Sequence, residues 1–225
     1  MPRGYTFEDK AAFIKKIYKD VLKVSKKSGF PVEFILAQAV YETGWGELVI
    51  SGSNNLFNIK ADSSWKGSKK KSSTTEFVYT GDEASPIKVE DKFRAYGSYT
   101  ESIDGWLDFL QSNPRYHGVG VNSKGQQFVD IFDPVIKGDP ALLAYALWYD
   151  GFATDPHYAE TLISIMRGPT MKKILEKIKK EETENNNSFY NRSHSGETLK
   201  RDDSDYRIVH RIEPDGSNRG YFISP

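Results

Sequence analysis

Two consecutive helical patterns near the N-terminus constrain the fold of this chain more than any other feature of its sequence. Over residues 7–28, apolar side chains recur every three or four positions with lysines between them, which predicts an amphipathic helix. Thr6 suits the N-cap of this helix, and Gly29 suits its end. Pro31 is typical of the first position of a second helix, which we expect to run to about residue 43.

The second predicted helix carries a carboxylate on its apolar face. Ile35, Ala39 and Glu42 are spaced i, i+4 and i+7, so they share one side of the helix. Burying an ionised carboxylate is unfavourable, and such groups respond by becoming protonated. A carboxylic acid in an aromatic pocket, to which Trp45 would contribute a wall, is what a glycosidase needs as its general acid. A structural role, in which Glu42 accepts hydrogen bonds from backbone amides and organises the next loop, stays open on position alone.

The middle of the chain predicts a β-hairpin followed by further helices. Residues 74–80 alternate in polarity, a turn-like GDEASP follows, and residues 87–96 are typical of a returning strand. Helical patterns then cover residues 98–112, 126–137, 140–151 and 155–166. Gly168 and Pro169 end the last of these, and a separate charged helix is expected over residues 171–184. The predicted fold class is therefore α+β, mainly α.

The C-terminal part of the chain has a different composition. Residues 183–205 contain a run of Asn, many Ser and charges of both signs, which is typical of a linker. Residues 206–225 predict a hairpin that is too small to fold alone. We therefore expect a main domain over residues 1–170, a charged helix and flexible linker over 171–205, and a docking hairpin over 206–225.

The composition argues against several classes of function. Lys plus Arg and Asp plus Glu each number 31, so a net charge of zero gives no reason to expect nucleic acid as a partner. The chain has no Cys, and its four His lack the spacing of a zinc site, so we expect neither a metal nor another cofactor. Lysine-rich segments at residues 15–27, 69–71 and 172–180 are typical of solvated surface, and they would also attract an anionic polymer such as a bacterial wall.

We expect neither a signal peptide nor a membrane span. The N-terminal MPRGYTFEDK lacks an apolar stretch, and no segment approaches the ~18 consecutive apolar residues of a membrane-spanning helix. The expectation is a chain that is made in the cytoplasm and acts in the bacterial cell wall or periplasm, alone or as part of a virion. Something other than its own leader would carry it there.

Six short segments resemble, in order and rough spacing, glycoside hydrolase family 73. They are FILAQAVYETGWG, NNLFNIK, TTEF, FRAYGSYTESIDGW, NPRY and DGFATDPHYA, within roughly residues 32–166. The family contains the endo-β-N-acetylglucosaminidases of bacterial autolysins, flagellar assembly hydrolases and phage lysins. The resemblance implies a lysozyme-like fold, in which a helical lobe and a small β-hairpin lobe flank a groove for a glycan strand.

The resemblance also implies which residues act. Glu42 matches the general acid, Glu76 matches a second carboxylate from the hairpin, and Tyr158 matches a tyrosine that lines the cleavage site. Other carboxylates of the same hairpin would be substitutes for Glu76, namely Asp82, Glu83, Glu90 and Asp91. Asn55 matches a residue that braces the loop of the β-lobe, and we group it with the expected substrate-binding residues. The others in that group are aromatic: Trp45, Phe57, Trp65, Phe93 and Tyr96.

The segment NNLFNIK departs from the family pattern at one position. Asn58 stands where members of the family more often carry Gly. If that Gly serves a turn with positive φ, Asn is the next most tolerant residue, so we expect the loop to keep its shape.

The implied reaction is hydrolysis of peptidoglycan glycan strands at the β-1,4 bond after N-acetylglucosamine. Two routes stay open for its second half: Glu76 activates a water, or the acetamido oxygen of the substrate attacks while Tyr158 or Glu76 positions it. The implied setting is a phage lysin or a virion-associated wall-degrading enzyme. The alternative is a non-catalytic glycan-binding or structural component of a larger assembly, held through the residues after Thr183.

Overall fold

The chain forms two compact units, Met1–Lys180 and Glu181–Pro225. The computed structural model describes residues 5–80, 83–122, 125–194, 207–212 and 218–223, and it describes no side chain at residues 76, 77, 79, 80, 83, 84 and 86 or beyond residue 184. The first unit contains α1 (Phe7–Ser28), α2 (Val32–Thr43), β1 (Lys69–Thr80), β2 (Glu83–Arg94), α3 (Tyr99–Ser112), α4 (Pro134–Gly138), α5 (Pro140–Tyr149), α6 (Tyr158–Arg167) and the start of α7 (Pro169–His194).

Helix α1 has the bounds and the caps that the sequence predicted. The Thr6 side chain accepts a hydrogen bond from the backbone of Asp9, and the Asp9 carboxylate accepts one from the backbone of Thr6. Gly29 ends the helix at φ 79°, a conformation that suits glycine. The apolar stripe of α1 is buried, with Ile14, Ile17 and Val21 fully inside.

Helix α2 lies in the core of the first unit. All residues from Phe34 to Val40 are buried, and α2 packs against α1, α5 and α6. A helix that is apolar on every side needs neighbours on every side, so the other helices gather around α2. Its two ends reach the surface, and at the C-terminal end Tyr41 and Glu42 are half-buried.

The predicted β-hairpin is present and longer than expected. Strands β1 and β2 pair antiparallel from Lys69 opposite Arg94 to Thr80 opposite Glu83. Its base joins the loop between α2 and β1 through backbone hydrogen bonds between Arg94 and Ile59 and between Ala61 and Lys92. The first unit is therefore a helical body with a small β-hairpin lobe, as the fold class predicted.

Two of the predicted helices need correction. In the segment predicted as a helix over residues 126–137, only the end is helical, as α4 (Pro134–Gly138). Before it, the backbone N–H of Val129 donates to the buried Asp150 carboxylate. Isolated β-bridges also pair this segment with residues 117–121, so its backbone is extended there. The charged helix expected over residues 171–184 does not stand apart either. It is part of α7, and Met171, Ile174 and Ile178 are buried in the core of the first unit.

Helix α7 also continues through part of the predicted linker. It ends at His194, and residues 195–206 lie outside the described part of the chain. In the second unit β3 (Arg207–Ile212) pairs antiparallel with β4 (Asn218–Ile223), as the pattern of residues 206–225 indicates. The docking role of that hairpin stays a prediction. None of the helices in the described ranges combines the length and the apolar character needed to cross a membrane.

Candidate active site

A cleft of about 590 Å³ lies between the end of α2 and the β1–β2 hairpin. Aromatic rings supply much of its wall, and charged groups of both signs lie among them. The described lining residues are Tyr41, Glu42, Phe57, Asn58, Ile59, Lys60, Asp62, Thr74, Thr75, Phe93, Phe109, Asn113, Arg115, Tyr116 and the segment from Gly151 to Asp155.

Glu42 lies in this cleft, in the last turn of α2. Its side chain is half-buried, and its Oε2 accepts a hydrogen bond of 3.1 Å from the Asn58 side-chain amide. The same amide nitrogen donates to the backbone carbonyl of Glu42 at 2.8 Å. The helix thus presents the carboxyl to the cleft, and the loop opposite determines its orientation.

Asn58 adopts the left-handed conformation that the sequence analysis anticipated. Its φ is 46°, which Gly tolerates freely and Asn tolerates better than most other residues. The prediction that the loop keeps its shape with Asn in place of Gly is consistent with this backbone. Sequence reasoning missed the contact of the Asn58 side chain with Glu42.

Tyr41 and Asp155 form a second polar pair in the cleft. The Tyr41 hydroxyl donates to Asp155 Oδ2 at 2.6 Å and so connects α2 with the segment before α6. Burial and the hydrogen bond to Asp155 raise the pKa of Tyr41 above its ordinary value, so the hydroxyl remains a donor. Both residues lie in the segments that carry the family resemblance, but neither was among the predicted site residues.

Tyr158 lies beneath the cleft. It is the first residue of α6, its side chain is fully buried, and its ring meets that of Tyr41 edge-on at 4.9 Å. Burial and the charge of Glu42 raise the pKa of Tyr158 well above its ordinary value, while the nearby Gln38 amide lowers it. No partner in the described residues reaches the Tyr158 hydroxyl at hydrogen-bonding geometry. Tyr158 is thus buried behind the Tyr41 ring and is not among the described residues that line the cleft, and its role at the cleavage site stays a prediction.

Glu76 belongs to β1, where its backbone pairs with Ile87. Its side chain lies outside the described part of the chain, as do those of Asp82 and Glu83. Thr74 and Thr75 line the cleft immediately before it. The role of Glu76 stays a prediction.

Asn55 braces the hairpin loop, as the resemblance implied. Its side-chain amide donates to the carbonyls of Ile59 (3.0 Å) and Arg94 (2.9 Å), and its Oδ1 accepts from the backbone N–H of Phe57 and of Ile59. Asn55 is fully buried and is not among the described residues that line the cleft, so its place among the substrate-binding residues stays a prediction. Its polar atoms serve the loop backbone.

Two of the predicted groove aromatics line the cleft. Phe57 stacks on Trp106 with ring centroids 4.9 Å apart, and Phe93 comes from β2 near the base of the hairpin. Both rings are almost fully buried, so little of either is exposed to the cleft. They form part of an apolar wall close to Glu42.

The other three predicted aromatics are not among the described lining residues. Trp45 has φ 65° and follows the left-handed Gly44, so the chain turns towards α1, where the Lys10 ammonium lies 5.3 Å from the Trp45 ring. The role of Trp45 as a wall of the Glu42 pocket stays a prediction. Trp65 and Tyr96 pack edge-on against each other, and the Arg94 guanidinium covers the Trp65 ring at 4.6 Å.

The charges on the hairpin side of the cleft are paired. Lys60 contacts Asp91 at 3.0 Å and Arg94 contacts Asp62 at 3.4 Å. A hydrogen bond from the Ser64 side chain holds the pKa of Asp62 below its ordinary value. The described residues contain no group of three or more His, Cys, Asp or Glu side chains that could hold a metal ion.

A half-buried carboxyl at the end of a buried helix, facing a cleft formed with a β-hairpin lobe, is the arrangement of a lysozyme-like glycosidase. The family model described as mannosyl-glycoprotein endo-β-N-acetylglucosaminidase, or glucosaminidase, matches residues 18–170. The chain therefore belongs to this family, glycoside hydrolase family 73.

Bacterial relatives support the assignment. The chain is 36% identical over 188 residues to the peptidoglycan hydrolase FlgJ of Escherichia coli K12. The aligned region covers 80% of this chain and 53% of FlgJ. It is 32% identical over 133 residues to the exo-glucosaminidase LytG of Bacillus subtilis, covering 58% of this chain and 41% of LytG. The chain thus spans about half the length of the FlgJ relatives that it matches.

Solved structures show the same fold. A peptidoglycan hydrolase mutant from Sphingomonas sp. A1 aligns with a TM-score of 0.61 and 30% identity, covering 74% of this chain and 99% of that one. The glycoside hydrolase domain of Salmonella typhimurium FlgJ aligns with a TM-score of 0.56 and 31% identity, covering 80% and 98%. The predicted lysozyme-like fold is confirmed.

Proposed function

We propose that this chain hydrolyses peptidoglycan at the β-1,4 bond after N-acetylglucosamine, with Glu42 as the general acid. The observation that carries the proposal is the position of Glu42: it is the carboxyl at the end of α2, it faces the cleft, and it is oriented by Asn58. Relatives named peptidoglycan hydrolase and glucosaminidase support the substrate class.

The proposed first step transfers a proton from Glu42 to the glycosidic oxygen as positive charge develops on the sugar ring. The rings of Phe57 and Phe93 line the same cleft as Glu42 and make part of its wall apolar. Proton transfer leaves a carboxylate, and the Asn58 amide is placed to donate a hydrogen bond to it.

For the second step, both routes opened by the sequence remain. Either a water activated by Glu76 attacks from the opposite face, or the acetamido oxygen of the substrate attacks and water then opens the intermediate. Tyr158 would contribute from beneath the cleft, through its contact with Tyr41.

The bacterial relatives bear on the biological setting of the proposed reaction. The sequence suggested a phage lysin or a virion enzyme, whereas the relatives named above are bacterial hydrolases, among them FlgJ and LytG. We therefore confine the proposal to the reaction and to the bacterial cell wall as its place.

The test is to digest purified peptidoglycan with the wild-type chain and with Glu42→Gln, reduce the products with borohydride, and identify the new ends by mass spectrometry. Glu47→Gln is the matched control, because Glu47 is exposed and lies five residues further along the chain, outside the described cleft lining. We expect reduced N-acetylglucosamine ends from the wild type and from the control, and a loss of at least ~100-fold in rate for Glu42→Gln.

Each other outcome removes a different part of the proposal. Reduced N-acetylmuramic ends would contradict the bond specificity and leave the acid in place. Full activity in Glu42→Gln would remove Glu42 from its role. A wild-type chain that cuts no bond in this substrate would return the binding or structural alternative to first place.

A further inference from the structure

We propose that Asn58 is a positioning residue for Glu42, an inference that rests on the proposed function. It orients the carboxyl so that the acidic proton is carried by Oε1, and it stabilises the carboxylate that remains after the proton has been donated.

The geometry assigns one orientation to the Asn58 amide. Its Nδ2 lies 2.8 Å from the backbone carbonyl of Glu42 and 3.1 Å from Oε2 of the same residue. The backbone carbonyls in the last turn of a helix lack intrahelical partners, so the first contact caps α2 and fixes the nitrogen in place. The reversed amide would set its oxygen against two acceptor oxygens, which is unfavourable.

The loop holds Asn58 from both sides. Its neighbours Phe57 and Ile59 both donate their backbone N–H groups to Asn55, and the Asn55 amide donates to the carbonyl of Ile59. Asn55 is fully buried, so this clamp is part of the interior. The donor that faces Glu42 is therefore fixed before any substrate arrives, which is the condition for an electrostatic contribution to catalysis.

The hydrogen bond fixes the proton of the neutral acid. Because Oε2 accepts from Asn58, the neutral carboxyl keeps Oε2 as its acceptor oxygen and carries the proton on Oε1. Once that proton has left, the bond becomes one from an amide to an anion and strengthens. Asn58 thus favours the ionised form of Glu42, whereas Gly at this position would tolerate the same φ of 46° without supplying a donor.

The experiment measures kcat/KM for peptidoglycan against pH with the full chain and three variants. Asn58→Gly removes the donor and keeps the backbone conformation. Asn58→Asp has nearly the same shape and sets a second carboxylate against Glu42. Asn54→Gly is the matched control, because Asn54 also has positive φ (50°) in the same loop but donates to the carbonyl of Tyr96.

The direction follows from the role of an acid, which is active only while protonated. Loss of a donor to the carboxylate favours the protonated form, so the basic limb of the profile moves to higher pH. We expect a move of about one pH unit for Asn58→Gly, a larger move for Asn58→Asp, and none for Asn54→Gly. Basic limbs of Asn58→Gly and Asn58→Asp that coincide with the wild-type limb would overturn the proposal.

A second measurement separates this proposal from the proposed function. The Glu42 carboxyl is titrated by carbon-13 NMR in the full chain, with its signal assigned by its absence in Glu42→Gln. A chain that cleaves no glycan but whose Glu42 titrates at higher pH in Asn58→Gly would defeat the function and support the contact. An active chain whose Glu42 titration is the same in the wild type, Asn58→Gly and Asn58→Asp would defeat the contact alone.

Discussion

At the scale of single residues, the Asn55 side chain connects the hairpin loop to the body of the domain. Replacing it with Ala leaves the backbone N–H groups of Phe57 and Ile59 without their Asn55 acceptor. It also removes one hydrogen bond from the Arg94 carbonyl and one from the Ile59 carbonyl, which still accepts from the Arg94 backbone N–H. We expect Asn55→Ala to lower the free energy of unfolding by roughly 3 kcal/mol or more, since each unsatisfied buried group costs about 1–3 kcal/mol.

Urea denaturation of Asn55→Ala beside Ser63→Ala tests this expectation. Ser63 is exposed in the same loop region, so its replacement is expected to change stability by no more than about 0.5 kcal/mol. Equal unfolding midpoints for the two variants would show that the Asn55 contacts contribute little.

Asp150 makes the stability of the domain depend on pH. It is fully buried, its Oδ1 accepts from the backbone N–H of Val129 at 2.9 Å, and its Oδ2 has no hydrogen-bond partner among the described residues. Burial raises the pKa of Asp150 from 3.8 to about 6. Between those values the folded chain retains a proton that the unfolded chain has lost, so the contribution of Asp150 to stability falls as pH rises.

The variant Asp150→Asn isolates this contribution, because Asn keeps an oxygen for Val129 and does not titrate. As the pH rises from 4 to 7, we expect the wild type to lose free energy of unfolding relative to Asp150→Asn. The expected relative loss is on the order of 2 kcal/mol. Urea denaturation across that range measures the difference. A difference that stays constant with pH would mean that Asp150 titrates alike in both states.

At the scale of elements, the first helix was predictable to the residue and the hairpin was not. Helix α1 has a clear period and a capping pair at Thr6 and Asp9, so its sequence specifies both ends. Strand β1 begins at Lys69, five residues before the predicted start. The side chains at the start of β1 are mostly exposed, because the sheet has only two strands. Polar residues therefore occupy both faces of the strand, and the alternation of apolar and polar residues that predicts a strand is absent there.

Helix α7 was predicted as a separate charged helix, although one of its faces is apolar and buried. Ile174 is fully buried in the core, whereas the adjacent Lys173 is exposed. We expect Ile174→Ala to lower the free energy of unfolding by about 2–5 kcal/mol and Lys173→Ala to change it by about 0.5 kcal/mol or less. Chemical denaturation of the pair decides the matter. Similar values for the two would mean that the start of α7 is not part of the cooperative core.

At the scale of the whole molecule, the sequence predicted which carboxyl is the candidate acid, Glu42, but not the groups that surround it. The face shared by Ile35, Ala39 and Glu42 can be found from spacing alone. The position of the Trp45 ring depends on left-handed backbone at Gly44 and Trp45, which periodicity does not reveal. The contact between Asn58 and Glu42 joins residues 16 positions apart and requires the folded loop. The pattern thus identified the carboxyl, and only the fold shows which groups control it.

The same distinction decides where the domain can be cut. All described cleft residues lie between Tyr41 and Asp155, but Met171, Ile174 and Ile178 belong to the hydrophobic core of the first unit. We expect a chain that ends after Lys180 to unfold cooperatively, with a stability within about 1 kcal/mol of the full chain, and to keep its glycan-cleaving rate. A chain that ends after Thr170 loses three buried apolar side chains, each worth about 1.5–3 kcal/mol, and is expected to be largely unfolded.

Thermal melts and peptidoglycan digestion of both truncations test this. A stable, active chain ending at Thr170 would restore the boundary that the sequence indicated, and an unfolded chain ending at Lys180 would make residues 181–225 necessary for folding.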